Sequence, residues 1–335
     1  MADKTNIFGA FDIGETKCAS LIGFLNENEY KVLGRRSFPT SLHRDPLECI
    51  ARLCNELADL KRELDVEISA IGISCGGPLD NVRGIIQSPP NLPGWDDIEI
   101  CDLVEQLAGV PAFLENDANA GAIAEWKYGA GKGVDNMLFL TFGTGLGAGV
   151  IIGGNLLYGC NGNAGELGHI RLAPDGPVGY GKAGSFEGFC SGNGLAQQMK
   201  TFARSRLESG NPVSWGQDET AIALLDAKKL SALAEAGDPD ALKIFENCGR
   251  MLGKGLAIAV DLYNPEKIVI GSMFVRCEKF LRPAMEQSLA EEALEISRSV
   301  VSVVPALLGE SAGDVAALCA ARENFILYQK LKYER

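Results

Sequence analysis

The feature that most constrains the fold is a pair of glycine-containing loops that lie far apart in the chain but share one context. Residues 12–17 have the sequence DIGETK and residues 141–149 have the sequence TFGTGLGAG. Each loop follows an apolar, strand-like run and leads into another strand-like run. A dinucleotide-binding loop needs a helix after it. The glycines here are therefore predicted to turn β-hairpins.

Paired hairpin loops of this kind suit the binding of nucleotide phosphates, because each offers backbone N–H groups and a threonine hydroxyl. One such loop alone is more often a tight turn in a half-buried hairpin. Two loops can hold phosphates from both sides of a cleft. The pair predicts a nucleotide-binding cleft and argues against a dinucleotide-binding fold.

The order of predicted elements repeats along the chain. The first half has the order β-β-β-α-β, and the same opening of strand, glycine turn and strand restarts near Asn136. Strict β-α alternation would predict a doubly wound sheet instead. The repeat predicts an α/β fold of two related halves. The predicted elements of the first half are strands at 7–11, 18–25, 30–37 and 68–74 and a helix at 46–64. In the second half, a helix is predicted around 278–290.

Size and charge limit the function classes. With 335 residues, the chain can bury two domain cores. Its net charge of −13 opposes nucleic acid or an anionic membrane as a general partner. The first strand begins near Ile7 after a short polar lead, so no signal peptide or membrane span is expected and a cytoplasmic location is predicted. The ten cysteines are scattered and are expected to be reduced, and His43 is expected to be structural.

Five short segments carry the most specific information, and they run from the first strand through the middle of the chain. They are DIGETK at 12–17, SPPNLPGW at 88–95, ENDANA at 115–120, GTGLG at 143–147 and AGELGH at 164–169. In sequence and order they resemble motifs of the ROK family (repressors, open reading frames and kinases), a branch of the superfamily of actin, hexokinase and heat-shock ATPases. This family contains bacterial sugar kinases and sugar-responsive repressors.

The resemblance implies a fold of two ribonuclease H-like (actin-like ATPase) domains with a cleft between them. A smaller N-terminal domain would comprise residues 1–116 and about 312–335, and a larger C-terminal domain residues 117–311. The resemblance also implies a homodimer and an ATP-dependent carbohydrate kinase of the glucokinase, fructokinase or N-acetylmannosamine kinase type.

Asp117 is the predicted catalytic residue. Phosphoryl transfer needs a carboxylate within hydrogen-bonding distance of the attacking hydroxyl. Without the family match, an N-cap role for Asp117 would be the more common explanation, since a helix is predicted to begin there. In the family, the matching aspartate is the general base and the preceding asparagine, here Asn116, binds the sugar.

Further sugar contacts are implied by the family motifs and by their chemistry. Glu166, His169 and Glu187 match family residues that contact sugar, and their side chains can accept and donate hydrogen bonds to paired hydroxyls. Gly77 and Asn91, in two predicted loops, are further candidates for substrate binding. A surface glutamate and a structurally bonded histidine are the alternative interpretation of Glu166 and His169.

The resemblance also assigns the ATP side of the cleft, with ATP and Mg²⁺ as expected cofactors. Asp12 would act on Mg²⁺ through water, as hard oxygen ligands do. An ordinary turn at the end of a strand is an equal alternative for Gly271. The residues predicted to bind the nucleotide are Asp12, Gly14, Thr16, Lys17, Gly143, Thr144, Gly145 and Gly271.

One departure from the family concerns zinc. Where the family has C-x-C-G-x-x-G-C-x-E, residues 178–187 have VGYGKAGSFE, with Val178, Tyr180 and Ser185 at the cysteine positions. None of these side chains replaces a thiolate ligand. No structural zinc is predicted.

Two further departures lie on the ATP side. Glu15 and Ser272 occupy positions that are commonly glycine, and a carboxylate beside phosphates is repulsive unless it faces a cation. A sugar-binding protein with impaired phosphoryl transfer is therefore a competing hypothesis. A sugar-responsive repressor is a third, disfavoured because the first strand begins too early for a preceding DNA-binding module.

Overall fold

The computed structural model describes residues 6–42 and 45–333. His43 lies outside the described residues. The first half of the chain forms eight strands and three helices. These are β1 (Ile7–Ile13), β2 (Lys17–Leu25), β3 (Tyr30–Pro39), α1 (Pro46–Leu64), β4 (Ile71–Cys75), β5 (Leu79–Asp80), β6 (Ile85–Ile86), β7 (Ile98–Glu99), α2 (Ile100–Ala108), β8 (Ala112–Asn116) and α3 (Asp117–Tyr128).

The second half repeats the three-strand opening and then adds more helices. Its elements are β9 (Met137–Phe142), β10 (Leu146–Ile152), β11 (Asn155–Leu156), β12 (Val178–Gly179), β13 (Lys182–Ala183), α4 (Phe186–Phe189), α5 (Gly192–Glu208), α6 (Glu219–Ala223), α7 (Ala227–Glu235), α8 (Pro239–Tyr263), β14 (Lys267–Ile270), α9 (Met273–Glu292), α10 (Glu295–Arg298), β15 (Ser302–Pro305) and α11 (Ala312–Tyr333).

Two five-stranded sheets of identical topology form the framework. Their strand orders are β3-β2-β1-β4-β8 and β11-β10-β9-β14-β15. In each sheet the first three strands are antiparallel neighbours, and the last two run parallel to the central strand. The prediction of two related α/β halves is confirmed.

Helix α1 shows how local signals define an element. Asp45 caps its N-terminus, where its side chain accepts a 2.8 Å hydrogen bond from the backbone N–H of Leu47, and Pro46 occupies the first turn, where no N–H is needed. Apolar residues at helical spacing, including Leu53 and Leu57, are buried against the first sheet. The predicted bounds of this helix are correct.

The last helix of the chain returns to the first sheet. Residues of α11, among them Val315 and Leu318, pack with Phe8 of β1 in one apolar cluster. The approach is close, since a Cβ on Gly72 of β4 would lie 2.1 Å from the carbonyl oxygen of Ala317. This packing supports the predicted assignment of residues 312–335 to the N-terminal domain, and the domain limits themselves stay a prediction.

Three local predictions need correction. Asn116, not Asp117, is the N-cap of α3, because its extended backbone directs Oδ1 to two free N–H groups of the first turn. Strand β4 begins three residues later than predicted, at Ile71. Helix α9 starts at Met273, directly after the Gly271–Ser272 turn, rather than near Glu278.

Four short helices, α4, α6, α7 and α10, were not predicted. Each has nine residues or fewer, too few to show a clear apolar period.

None of the helices formed by residues 6–42 and 45–333 has the length and apolar composition needed to cross a membrane.

Candidate active site

A cavity of about 490 Å³ lies between the two halves, bordered by the β9–β10 turn on one side and the end of β8 on the other. It brings together every predicted sugar-binding residue and the second glycine loop. The predicted site residues in its wall are Gly77, Asn91, Asn116, Asp117, Gly143, Thr144, Gly145, Glu166, His169 and Glu187. The others, Asp12, Gly14, Thr16, Lys17 and Gly271, are not part of that wall.

Asp117 is the first residue of α3 and faces the cavity. Its Oδ1 accepts a 2.8 Å hydrogen bond from the backbone N–H of Ala118, and a Cβ on Gly76 would lie 4.0 Å from Oδ2. The residue is exposed to the cavity, and the protein atoms around its carboxyl group partly desolvate it. This desolvation raises its pKa, against the hydrogen bond from Ala118. Oδ2 is thus positioned to accept a proton.

Asn116 uses its two polar atoms differently. Oδ1 accepts hydrogen bonds from the backbone N–H groups of Ala118, at 3.0 Å, and Asn119, at 3.3 Å. Nδ2 faces the Gly77 loop, where a Cβ on Gly77 would lie 3.2 Å away. Capping therefore orients the amide so that its N–H donors point into the cavity, as sugar binding would require.

Glu187 connects the sugar side of the cavity to the glycine loop. It lies in the first turn of α4, and its Oε2 accepts a 3.0 Å hydrogen bond from the backbone N–H of Leu146 at the start of β10. A Cβ on Gly145 would lie 2.7 Å from that oxygen. Gly145 therefore lets the loop approach Glu187 closely, while Oε1 is left for other partners.

A single 3₁₀ turn, Leu167–His169, connects two of the predicted sugar-binding residues: Glu166 directly precedes it and His169 is its last residue. Both face the cavity. Burial raises the pKa of the Glu166 carboxyl, and nearby Asp117 and Glu187 raise it further, whereas His169 lowers it. Three carboxylates and an imidazole thus share one wall, an arrangement suited to hydrogen bonding with several hydroxyl groups.

The two glycine hairpins differ in their relation to the cavity. In the β9–β10 turn, Gly143 donates its N–H to the carbonyl of Gly145 at 3.0 Å, and Gly143, Thr144 and Gly145 all line the cavity. In the β1–β2 turn, only Glu15 lines it. No hydrogen bond or ion pair of the Glu15 side chain is formed within the described part of the chain.

Asp12, at the end of β1, lies among other charges. Burial raises its pKa to about 6, and the carboxylates of Asp314 and Asp117 add to the rise, while Lys17 and Arg35 oppose it. Such a site favours a bound cation. Among residues 6–42 and 45–333, however, no three His, Cys, Asp or Glu side chains are clustered so as to hold a metal by themselves.

Gly271 and Ser272 lie beside the second hairpin. Gly271 donates its N–H to the carbonyl of Leu140 at 2.8 Å, and a Cβ on Gly143 would lie 3.9 Å from Oγ of Ser272. Ser272 has φ 53° and ψ −110°, a backbone conformation that glycine adopts far more readily than other residues. Ser272, at a position that is commonly glycine in the family, therefore has a backbone conformation typical of glycine.

Three residues near the site were not predicted. Tyr180 and Asn163 line the cavity, and Tyr158 binds Glu115, the residue before Asn116. The position of Tyr180 in place of a family cysteine was the one signal available. The other two lie in loops or pair with distant residues, so the sequence carried no local sign of them.

Comparison with known proteins places this site in a family. A model of the ROK family matches residues 8–324. The chain is 33% identical over 314 residues to a glucokinase of Streptomyces coelicolor, covering 93% of this chain and 96% of that one. It is 30% identical over 312 residues to the DNA-binding transcriptional dual regulator NagC of Escherichia coli, covering 90% and 73%.

A solved structure gives the same result. The ROK family glucokinase from Streptomyces griseus, in complex with glucose and AMPPNP, aligns with a TM-score of 0.76 and 32% identity over 95% of this chain and 99% of that chain. This likeness confirms the predicted actin-like fold class. Since the family model spans nearly the whole sequence and two relatives are at least 30% identical, the chain belongs to the ROK family.

Proposed function

We propose that the protein is an ATP-dependent kinase that phosphorylates a hexose or an N-acetylhexosamine, with Asp117 as the general base. One observation carries the proposal: the partly desolvated carboxylate of Asp117 shares a cavity with a phosphate-type hairpin and with the polar wall formed by Glu166, His169 and Glu187. The similarity to glucokinases, one of them solved with glucose and AMPPNP, supports it.

In this mechanism the sugar hydroxyl lies against Oδ2 of Asp117. The hydroxyl oxygen attacks the γ-phosphorus of ATP, a new O–P bond forms, and the bond from that phosphorus to the β-γ bridging oxygen breaks, releasing ADP. The hydroxyl proton passes to Asp117. The raised pKa of this carboxyl makes it a stronger proton acceptor than an aspartate in water.

The sugar is held by groups that surround Asp117. Nδ2 of Asn116 donates, the carboxylates of Glu166 and Glu187 accept, and His169 can do either. A sugar lacking one of the matching hydroxyls would leave such a group unpaired in an enclosed site, which penalises the wrong substrate. Gly77 and Asn91 border the cavity opposite this wall and complete the proposed subsite.

The triphosphate is assigned to the two hairpins. Gly143, Thr144 and Gly145 line the cavity and would contact the phosphates, and Gly14, Thr16 and Lys17 would complete the phosphate site from the other half. Gly271 lies beside the second hairpin, on the side assigned to adenosine.

Asp12 is the residue that would hold Mg²⁺. Its carboxylate lies close enough to two other carboxylates for its pKa to rise, which fits a hard cation that neutralises them. The ion would neutralise the charge of the phosphates.

Glu15 supports a second candidate, a sugar-binding protein with impaired phosphoryl transfer. Its carboxylate, which has no partner among residues 6–42 and 45–333, borders the cavity where anionic phosphates are expected. The similarity to the regulator NagC shows that this family also contains proteins that act as transcriptional regulators. Sugar binding without turnover is the behaviour expected of this second candidate.

A coupled ADP-release assay separates the candidates. Purified protein with MgATP is tested against glucose, fructose, mannose, allose, N-acetylglucosamine and N-acetylmannosamine, with calorimetric titration of each sugar in parallel. Turnover of one of these sugars supports the kinase. Binding of a sugar with no turnover by any of them supports the second candidate, and absence of both rejects the sugar site.

The homodimer, which the family resemblance implies, and the cytoplasmic location, which was inferred from the short polar lead before the first strand, remain predictions. Light scattering of the purified protein tests the first, with a mass of about twice 35.7 kDa expected.

A further inference from the structure

The hairpin β12–β13 occupies the segment in which the family carries zinc-binding cysteines. It is held by two hydrogen bonds from one side chain of α5: Oε1 of Gln197 accepts from the N–H of Val178 at 2.9 Å, and Nε2 donates to the carbonyl of Val178 at 2.8 Å. A Cβ on Gly179 would lie 2.6 Å from the N of Gly188. The hairpin therefore packs directly on α4, which carries Glu187.

The three former cysteine positions contain no metal-binding set. Val178 has no donor atom. Ser185 is buried, and its Oγ accepts from the N–H of Gly188 at 3.1 Å as the N-cap of α4. The third position is Tyr180, which turns towards His169. The residues present do not fit a tetrahedral zinc site, which uses sulfur, imidazole or carboxylate ligands.

His169 is instead contacted by the hairpin at two points. The ammonium group of Lys182 donates a 2.7 Å hydrogen bond to the carbonyl of His169. The ring of Tyr180 packs edge to face against the imidazole, with centroids 5.9 Å apart and an interplanar angle of 76°. Backbone and ring of His169 are thus both positioned by side chains.

The backbone at Tyr180 is unfavourable for a large residue. Tyr180 has φ 44° and the following Gly181 has φ 72°, both in the left-handed region that favours glycine and asparagine. An aromatic residue is disfavoured there, and Tyr180 as a whole residue remains 60% exposed while lining the cavity. Neither hairpin stability nor core packing explains its presence, and strain of this kind is often found at binding sites.

We propose that hairpin β12–β13 is a metal-free support for the sugar subsite, in which Tyr180 contacts the bound sugar and Lys182 fixes the position of His169. A tyrosine ring presents an apolar face to the C–H groups of a pyranose and a hydroxyl to its oxygen atoms. This inference rests on the proposed sugar-binding function.

Metal dependence is the first test. Protein expressed with added zinc is analysed for metal content, then treated with 1,10-phenanthroline, and sugar affinity is measured by calorimetry without ATP. We expect far less than one zinc per chain and unchanged affinity and thermal midpoint. Stoichiometric zinc, or loss of sugar binding after treatment, would overturn the proposal.

Variants of Tyr180 provide the second test. Tyr180→Asn suits the left-handed backbone, so we expect an equal or higher thermal midpoint together with about tenfold weaker sugar binding, the loss expected for one aromatic contact. Tyr180→Phe should bind within about threefold of the parent, since it keeps the ring. If Tyr180 had only a structural role, its replacement would not weaken sugar binding while the thermal midpoint is kept. Parent-like affinity of Tyr180→Asn would reject the sugar contact.

Lys182 has its own matched control. We expect Lys182→Met to weaken sugar binding several-fold, because the His169 carbonyl loses a charged donor, whereas Lys228→Met, at an exposed position on α7, leaves it unchanged. Equal affinities of the two variants would reject the role of Lys182.

The experiments on the hairpin measure sugar binding, metal content and stability, and none of them measures turnover. A protein that binds sugar without turnover would therefore refute the kinase proposal alone. Parent protein that binds none of the six sugars would reject both.

Discussion

The hydroxyl group of Tyr158 donates a 2.8 Å hydrogen bond to Oε2 of Glu115, and so joins the second half of the chain to the edge strand of the first. Oε1 of the same carboxylate accepts from the N–H of Asn116 at 3.0 Å and from Nδ2 of Asn119 at 3.2 Å. Glu115 is buried. Residues on both sides of the cleft are thereby tied to the backbone that carries Asp117.

Removal of the Tyr158 hydroxyl should therefore affect both stability and catalysis. Tyr158→Phe leaves a buried carboxylate oxygen without its donor, and we expect a loss of about 1–3 kcal/mol in the free energy of unfolding. We also expect a lower kcat, because the Asn116–Asp117 backbone loses a support. Urea denaturation and the coupled assay measure the two effects.

Tyr128→Phe is the matched control. The Tyr128 hydroxyl donates to the carbonyl of Asn26 at 2.5 Å, away from the cavity wall. This variant should lose stability but keep kcat. If both tyrosine variants retain parent kcat, Tyr158 has no positioning role.

Replacement of Asp117 tests its role as a base. Asp117→Ala should reduce kcat by about 10²–10⁴-fold, the usual contribution of a general base, and weaken sugar binding by much less, because only one of several hydrogen bonds to the sugar is lost. The helix should stay capped, because the N-cap is Asn116. Single-turnover kinetics and calorimetry provide the two readings.

An aspartate with a capping role alone provides the comparison. Asp226 caps α7, where Oδ1 accepts from the N–H of Lys229 at 2.7 Å. Asp226→Ala should lower stability by about 1 kcal/mol and leave kcat unchanged. Activity that survives Asp117→Ala would show that another group takes the proton.

The sequence was sufficient to predict the elements whose signals are local. The glycine hairpins, helix α1 and the duplicated strand order depend on apolar periodicity and turn residues within short windows. Motif order then identified Asn116, Asp117, Glu166, His169 and Glu187, all of which meet in one cavity.

What could not be predicted depends on contacts between distant residues or on competition between equivalent neighbours. Asn116 and Asp117 are both good N-caps, and only the backbone conformation decides between them. Glu115 and Tyr158 are 43 positions apart, and nothing local marks Glu115 as a buried carboxylate. Likewise, the position of Tyr180 against His169 depends on how the hairpin packs on α4.

The carboxylate of Glu15 should weaken nucleotide binding. It borders the cavity near the expected phosphates, and in a solvated cleft one like-charge interaction amounts to about 1 kcal/mol, or roughly fivefold in affinity. Glu15→Gly and Glu15→Gln should both lower KM for ATP by about that factor, and the gain should shrink with added salt. Glu27→Gln, at an exposed position in another turn, should have no effect. A higher KM for ATP in both Glu15 variants would mean that Glu15 assists nucleotide binding.

Ser272→Gly should stabilise the protein. The backbone of Ser272 has φ 53° and ψ −110°, a conformation that strains residues other than glycine by about 1–3 kcal/mol. Part of that gain is offset by the greater freedom of glycine in the unfolded chain, so a net increase of about 1 kcal/mol is expected in urea denaturation. Ser299→Gly, at a helical backbone position with φ −64°, should instead destabilise by up to about 1 kcal/mol. Destabilisation by Ser272→Gly would show that the interactions of the serine hydroxyl stabilise the fold by more than the backbone strain destabilises it.

The carboxyl group of Asp12 should make stability depend on pH in a particular direction. Its pKa is about 6 in the folded protein, against an ordinary value of 3.8, so between these values the folded state binds more protons than the unfolded state. The contribution of the Asp12 carboxyl to the free energy of unfolding is therefore fully present below about pH 4 and is lost as the pH rises through 6.

Asp12→Asn removes this dependence. In urea denaturation without nucleotide or Mg²⁺, the free energy of unfolding of the variant should equal that of the parent near pH 4. At pH 7 it should exceed that of the parent by about 2 kcal/mol. The other ionisable groups titrate alike in both proteins, so their contributions cancel when the two free energies of unfolding are subtracted. Activity should fall, because the carboxylate proposed to act on Mg²⁺ is lost. A stability difference that is constant from pH 4 to 7 would show that Asp12 ionises as readily in the folded chain as in the unfolded one.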